Sequence, residues 1–255
     1  MPGGPWPDMS CRRVARLADD LVRSWRWLGL LSVACAAVFL LFPGLDLALS
    51  RLFYTPGAGF VAAGHPGIER IRMIFWNLSS ATFALALVGL LVVLIVRRPI
   101  LGQDARRLGF IVTLYLLGPV LIVNRLFKEH WGRARPADIS PFGGTTQFTP
   151  FWQPSEQCLS NCSFVSGEVS GTTATTLALL LIAPGLVRWI GAGGARILGV
   201  AAFCLPWIVA LQRIAAGRHF LSDVVFSVLL TLAVALLIAP VFRRGRHAAD
   251  TPPQE

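Results

Sequence analysis

The sequence predicts an all-α protein, a polytopic bundle of six membrane-spanning helices with an outward-facing site, and three observations predict it. Of its 255 residues 55% are hydrophobic and only 14% charged, against roughly 25% charged in soluble domains, and the mean hydropathy is +0.63. Six runs carry no charge at all: 27–42, 73–96, 108–124, 169–187, 197–212 and 224–242. A spanning helix needs about 17–25 apolar residues. The polar and charged residues fall into short blocks at the ends of these runs.

In chain order, residues 1–26 alternate basic and apolar positions (Val14, Leu17, Leu21, Val22, Trp25). They read as a cytoplasmic amphipathic arm lying on the membrane surface. Run 27–42 is slightly short, as is 197–212, but Arg26 and Arg213 beside them can snorkel to the interface. Run 27–42 ends in Phe42-Pro43-Gly44 without a small-x-small cleavage site, so it reads as an uncleaved anchor. Segment 43–72 holds Leu45-Asp46-Leu47-Ala48-Leu49, then glycines and Pro66, an amphipathic outward hairpin or short interfacial helices. Segment 137–165 is long, aperiodic and rich in Gly, Pro, Thr and aromatics (Phe142, Phe148, Phe151, Trp152), the character of a lid or entry loop. The chain reads as one six-span domain over 27–242, with a polar, disordered cytoplasmic tail over 243–255.

Six crossings put both termini on one side. The arm, the tail and segments 97–107 and 188–196 carry 14 arginines, against nine Lys or Arg on the opposite face. The basic excess marks the cytoplasmic face, which turns the polar blocks outward, toward the periplasm of a Gram-negative inner membrane. The same distribution explains the net charge of +10 without nucleic acid, since nothing resembles a recognition helix or basic–aromatic groove.

Cys35 and Cys204 lie inside runs and read as packing residues, while Cys11 falls in the arm. Cys158 and Cys162 have three residues between them in the outward loop, a spacing that permits a disulfide in an oxidising compartment. Beyond His130 that loop holds no further Cys or His to complete a metal site.

Three polar blocks carry the chemistry. The first runs from Lys128, the only lysine in the chain, to Arg135-Pro136. A lysine point charge and a bidentate arginine fork, seven positions apart, suit phosphate oxygens. Arg133 and His130 are less certain members. The second block, Ser166-Gly167-Glu168, opens run 169–187, where Gly lets the backbone approach an anion at a helix N-terminus. The third holds Arg213, His219 and Asp223. At i and i+4 on one helix, Asp223 would accept a ring N–H of His219 and leave the other nitrogen free to attack. Each block taken singly also reads as an ordinary span end: basic interface anchors, a serine cap, a glutamate on the helix dipole.

Jointly, the blocks resemble the membrane-bound type 2 phosphatidic acid phosphatases, relatives of vanadium haloperoxidases and bacterial acid phosphatases. That family's pattern is Lys-x6-Arg-Pro, then Pro-Ser-Gly-His, then Ser-Arg-x5-His-x3-Asp. Lys128…Arg135-Pro136 matches fully, and Arg213…His219…Asp223 matches with Gln212 in place of Ser. The middle block matches only at Ser166-Gly167, with Val165 for Pro and Glu168 for His. The resemblance covers roughly 70–242. It implies a metal-independent, cofactor-free phosphatase acting on a lipid phosphate or diphosphate, with membrane lipids around it and no obligatory protein partner. His219 would form a phosphohistidine and Asp223 would orient it. Lys128, Arg135, Ser166, the Gly167 N–H and Arg213 would hold the phosphoryl oxygens.

Glu168 stands where the family's histidine protonates the leaving oxygen. Either burial tunes it into an acid, or the leaving group departs unassisted, as from a diphosphate. The substrates implied are polyprenyl diphosphate, phosphatidylglycerol phosphate, phosphatidate or a lipid A phosphate. The competing readings are a lipid phosphotransferase using the same histidine and a non-catalytic lipid-phosphate binder or transporter. The His219–Asp223 pair speaks against the last, because binding alone needs no oriented nucleophile.

Overall fold

The computed structural model describes residues 25–243, so most of the predicted arm and almost all of the tail lie outside the described residues. The first helix, α1 (Trp25–Leu41), meets α2 (Gly44–Arg51) at an 82° bend across Pro43-Gly44. A two-stranded antiparallel hairpin follows, β1 (Tyr54–Thr55) against β2 (Gly59–Phe60), so segment 43–72 holds both the short helix and the hairpin its sequence suggested. Then come α3 (Pro66–Val96), α4 (Ala105–His130), α5 (Gly167–Ala215) and α6 (Leu221–Arg243). The boundaries follow local chemistry. Pro66 opens α3 at the first helical position, where its missing N–H costs nothing. The Asp104 side chain accepts the Arg107 N–H to open α4 (2.9 Å).

Within α4 the stretch Leu116–Phe127 winds as a π-helix, with Pro119 inside it. Asn124 Nδ2 donates to the Pro119 carbonyl (2.8 Å), one of the side-chain contacts that re-satisfy backbone around an intramembrane proline. The wider winding shifts the register of the last turns, and Asn124 and Lys128 both reach the candidate site.

Helix α5 is 49 residues long but breaks at Gly191 (φ 67°, ψ 172°). Thr176 Oγ1 donates to the Ala202 carbonyl across the break (2.6 Å). In a straight helix those residues would stand about 39 Å apart, so the two arms of α5 double back on each other. The fourth and fifth apolar runs therefore occupy separate arms. By length and apolarity the described residues supply four helices able to cross a membrane, or five if α1 and α2 count as one bent span.

The core is the interface of α3, α4, α5 and α6: Ala86 and Val93, then Ile111, Leu114 and Tyr115, then Ala174 and Ala178, then Val234, Ala235 and Ile238. Small residues let helices approach in lipid, where packing and interhelical hydrogen bonds replace the hydrophobic drive. Tyr115 bonds Thr175 (2.7 Å) and Ser170 bonds Thr231 (2.8 Å), all buried. Cys35 is half-buried, but Cys204 is exposed on the outside of α5, so it does not pack as its sequence position suggested.

The segment after α4 is not a free flap. Trp131, Phe151 and Phe164 pack with Phe226 of α6, Phe151 stacking on Phe226 at 4.4 Å. Trp131 Nε1 donates to the Phe151 carbonyl (2.8 Å). Gly132 (φ 68°) turns the chain here, and any Cβ would fall on the Ser155 carbonyl, 1.5 Å away. Glycine is the residue that can adopt this conformation against another backbone.

Candidate active site

A cavity of about 430 Å³ opens at the end of the bundle where α4 finishes, α3, α5 and α6 begin, and the second arm of α5 ends. Lys128, Arg135, Gly167, Glu168, Arg213 and His219 line it, so residues from all three sequence blocks meet there. Ser166 and Asp223 stand behind the wall, both without exposed surface.

His219 is set differently from the sequence expectation. Gly217 (φ 66°) ends the turn after α5, and a Cβ there would strike the Phe60 ring at 2.4 Å. His219 follows in non-helical backbone, two residues before α6, so it does not share a helical face with Asp223. Its Nδ1 contacts the Ser163 carbonyl at 2.8 Å, whereas Asp223 Oδ2 is 3.7 Å away. A carbonyl can only accept, so Nδ1 carries the proton and Nε2 keeps its lone pair. Burial holds the imidazole pKa down at about 4, with Asp223 pulling against it and Lys128 adding to it. The ring is neutral at physiological pH, the form a nucleophile needs.

Asp223 is fastened to Ser163. One carboxylate oxygen accepts Ser163 Oγ (2.5 Å) and the Phe220 N–H (2.7 Å), the latter in the manner of a capping-box residue at the third helical position. The other accepts Arg133 Nη1 (2.6 Å). Arg133 is wholly buried. It also donates to Ser222 Oγ (2.8 Å), to Asp46 Oδ2 (2.8 Å) and to the Thr149 carbonyl (2.8 Å), and it lies 4.3 Å from the Phe220 ring centre. Asp46 in turn accepts the Ser222 backbone N–H (2.9 Å), an orphan donor of the first turn of α6. The sequence reading left Arg133 uncertain and missed Asp46 and Ser163. A lone acid inside the apolar Leu45–Leu49 stretch was the available signal.

Lys128 and Arg135 are not stacked on one helix. The helix stops at His130, and Arg135 is extended (φ −82°, ψ 157°). What brings them together is Asn161: Lys128 Nζ donates to its side-chain oxygen (3.0 Å) and Arg135 Nη2 to its carbonyl (2.6 Å). Asn161 takes a left-handed φ of 50°, a conformation asparagine tolerates better than most residues. It sits in the tight loop closed by the Cys158–Cys162 disulfide (Cα–Cα 5.7 Å) that the cysteine spacing suggested.

Ser166 caps α5, its Oγ accepting the Val169 N–H (3.4 Å), and does not face the cavity. Gly167 does face it, and a Cβ there would press Asn124 Oδ1 at 2.7 Å. Glu168 lies between two guanidinium groups, with Oε1 3.1 Å from Arg72 Nη1 and Oε2 3.5 Å from Arg213 Nε. Arg72, from α3, belongs to none of the three blocks.

Replacing Arg133 with Met leaves Asp46 and Asp223 buried without their cation, a loss of about 3–5 kcal/mol. The expected outcome is a large drop in Tm of the detergent-solubilised protein. Reducing the Cys158–Cys162 bond, or replacing both cysteines with Ser, frees Asn161 from Lys128 and Arg135. Inorganic phosphate should then bind roughly five- to tenfold more weakly, the equivalent of about 1–1.5 kcal/mol, as read by its protection against thermal unfolding.

The profile of the PAP2 superfamily matches residues 107–246. A lipid A 4'-phosphatase of Rhizobium leguminosarum is 34% identical over 241 residues, covering 89% of this chain and 97% of the relative. One from Rhizobium etli is 34% identical over 245 residues, covering 91% of this chain and 90% of the relative. One from Francisella tularensis subsp. novicida is 29% identical over 210 residues, covering 82% and 91%. Among solved structures, the transmembrane PAP2-type phosphatidylglycerolphosphate phosphatase of Bacillus subtilis shares the fold, with TM-score 0.50 and 20% identity, covering 89% of this chain and 97% of that one. With the profile match spanning more than half of its length and relatives 34% identical across most of it, the chain belongs to the PAP2 superfamily and is a multi-pass membrane lipid phosphatase.

Proposed function

We propose that this chain hydrolyses the 4'-phosphate of lipid A at the outer face of a bacterial inner membrane, through a phosphohistidine on His219. One observation carries the chemistry. His219 is a neutral imidazole whose Nδ1 is committed to the Ser163 carbonyl, in a cavity walled by Lys128, Arg135 and Arg213. The substrate follows from the three lipid A 4'-phosphatases to which the chain is similar over most of its length. The orientation rests on the 14 arginines of the opposite face. The doubling back of α5 at Gly191 supports six crossings, with α1 and α2 forming the first.

In this reading the three cations hold the phosphoryl oxygens and Nε2 attacks phosphorus. The N–P bond forms as the P–O bond to the lipid breaks, its electron pair leaving with the lipid oxygen, which takes a proton from water. Gly167, at the N-terminus of α5, adds backbone N–H groups and the positive end of the helix dipole. Water then attacks phosphorus, the N–P pair returns to Nε2, and inorganic phosphate leaves. Preorganised cations and dipoles in a water-poor site are the main source of rate. Lys128 and Arg135 meet that requirement, because Asn161 holds both before any substrate arrives.

Phosphate release across lipid A, polyprenyl diphosphate, phosphatidylglycerol phosphate and phosphatidate tests the substrate. Lipid A should lose its 4'-phosphate at least tenfold faster than the others lose theirs, and a faster diphosphate would overturn the assignment. Acid-quenched wild type should retain phosphate on histidine, and His219→Ala should retain none. Because the folded-state pKa of His219 lies below the ordinary 6.5, its neutral form persists down to about pH 4. The acid limb of kcat/KM that belongs to the nucleophile therefore falls near pH 4, with activity lost below it. In Glu168→Gln that acid limb should keep its position. A fall in kcat of roughly a hundredfold or more would assign the leaving-group proton to Glu168 instead of water.

A further inference from the structure

The cavity wall contains a charged pair, Glu69 and Arg72, that neither the three sequence blocks nor the matched stretch 107–246 includes. Arg72, on the first turns of α3, donates through Nε to Glu69 and reaches Glu168 Oε1 with Nη1 (3.1 Å). Glu168 Oε2 faces Arg213 Nε at 3.5 Å, and that buried nitrogen has no hydrogen-bond partner among the described residues. Four side chains thus alternate in sign from α3 into the phosphate-binding wall: Glu69, Arg72, Glu168 and Arg213. All four line the same cavity.

The arrangement answers an electrostatic problem. A phosphate dianion entering beside Glu168 meets a carboxylate in a partly enclosed cavity, where like charges repel more than in water. Without another cation the carboxylate would also draw the Arg213 guanidinium onto itself. Arg213 has a planar fork of five donors, and those given to Glu168 cannot be given to phosphate. Arg72 relieves both problems by binding one carboxylate oxygen and placing a second positive charge beside the carboxylate.

We propose that Arg72 is a positioning residue of the phosphate site. It neutralises Glu168 and so leaves the Arg213 fork free for the phosphoryl oxygens. Glu168 is then tolerated in the middle block because α3 supplies its counter-charge, and Glu69 holds Arg72 in place. The inference rests on the phosphatase reading above, but phosphate binding measures it independently of turnover.

The test is a double-mutant cycle on the full-length, detergent-solubilised protein. It reads kcat and KM for lipid A together with the apparent Kd of inorganic phosphate, taken from its upward shift of Tm. With Glu168 present, Arg72→Gln should raise KM and the phosphate Kd at least tenfold while kcat changes less than threefold. In a Glu168→Gln background the same Arg72→Gln change should move both by less than threefold. Arg72→Lys, which keeps a cation beside Glu168, should stay within about threefold of wild type. If Arg72→Gln does not fold, Glu69→Gln carries the test: Glu69 is the half-exposed anchor of Arg72, and its loss should raise KM about threefold only while Glu168 is present. Effects that multiply independently in the two backgrounds, or an Arg72→Gln protein that binds phosphate as wild type does, would overturn the proposal. A wild type that binds phosphate but releases none from any lipid removes the proposed function and leaves the coupling readable in Kd.

Discussion

The guanidinium of Arg133, sealed between Asp46 and Asp223, is the contact on which the rest of the site depends. Burying a charge is costly unless it is paired and its hydrogen-bonding capacity filled, and Arg133 meets both conditions with two carboxylates, a hydroxyl and a carbonyl. Such a cluster adds little net stability compared with apolar packing, and its worth lies in the geometry it fixes. Here it joins α2, the segment after α4 and the start of α6. Asp223 is thereby held in a single rotamer that fastens Ser163, and the Ser163 carbonyl sets the proton on the His219 ring. The tautomer of His219 is the last link in a chain that begins at an arginine with no access to solvent.

Much of the architecture could be read from the residues because lipid imposes a one-dimensional rule: uncharged runs of a set length become helices. Each of the six runs has its own helical stretch, and the polar blocks converge because each lies at the same end of such a stretch. What could not be read was set by contacts between distant residues. Arg133 meets Asp46 from 87 positions away and Asp223 from 90, and no local pattern encodes those pairings. The helical spacing of His219 and Asp223 misled for a related reason. Gly217 delays the start of α6, and the helix rule applies only to residues inside the helix. Lys128 and Arg135 also sit at helical spacing, yet a non-helical turn and a third residue, Asn161, bring them together.

Glu168 shows how a departure from a family pattern can be compensated by an element outside the pattern. Its neighbours in sequence are serine, glycine and apolar residues, so by itself it reads as a dipole partner at a helix N-terminus. Beside Arg213, α3 arrives from nearly a hundred positions earlier to give it a second cation. The cavity then holds five basic side chains against two acidic ones, and it keeps a positive excess for a doubly charged group.

The small loop between Cys158 and Cys162 ties this chemistry to a compartment. A disulfide persists on the oxidising side of a membrane and is lost on the reducing side. Asn161 within that loop gathers Lys128 and Arg135, so the bond braces the residue that joins the two cations. A chain inserted upside down would carry every residue of the site and lack that brace. In the outward orientation proposed above, one covalent bond outside the reacting atoms thus ties the form of the site to the side of the membrane it faces.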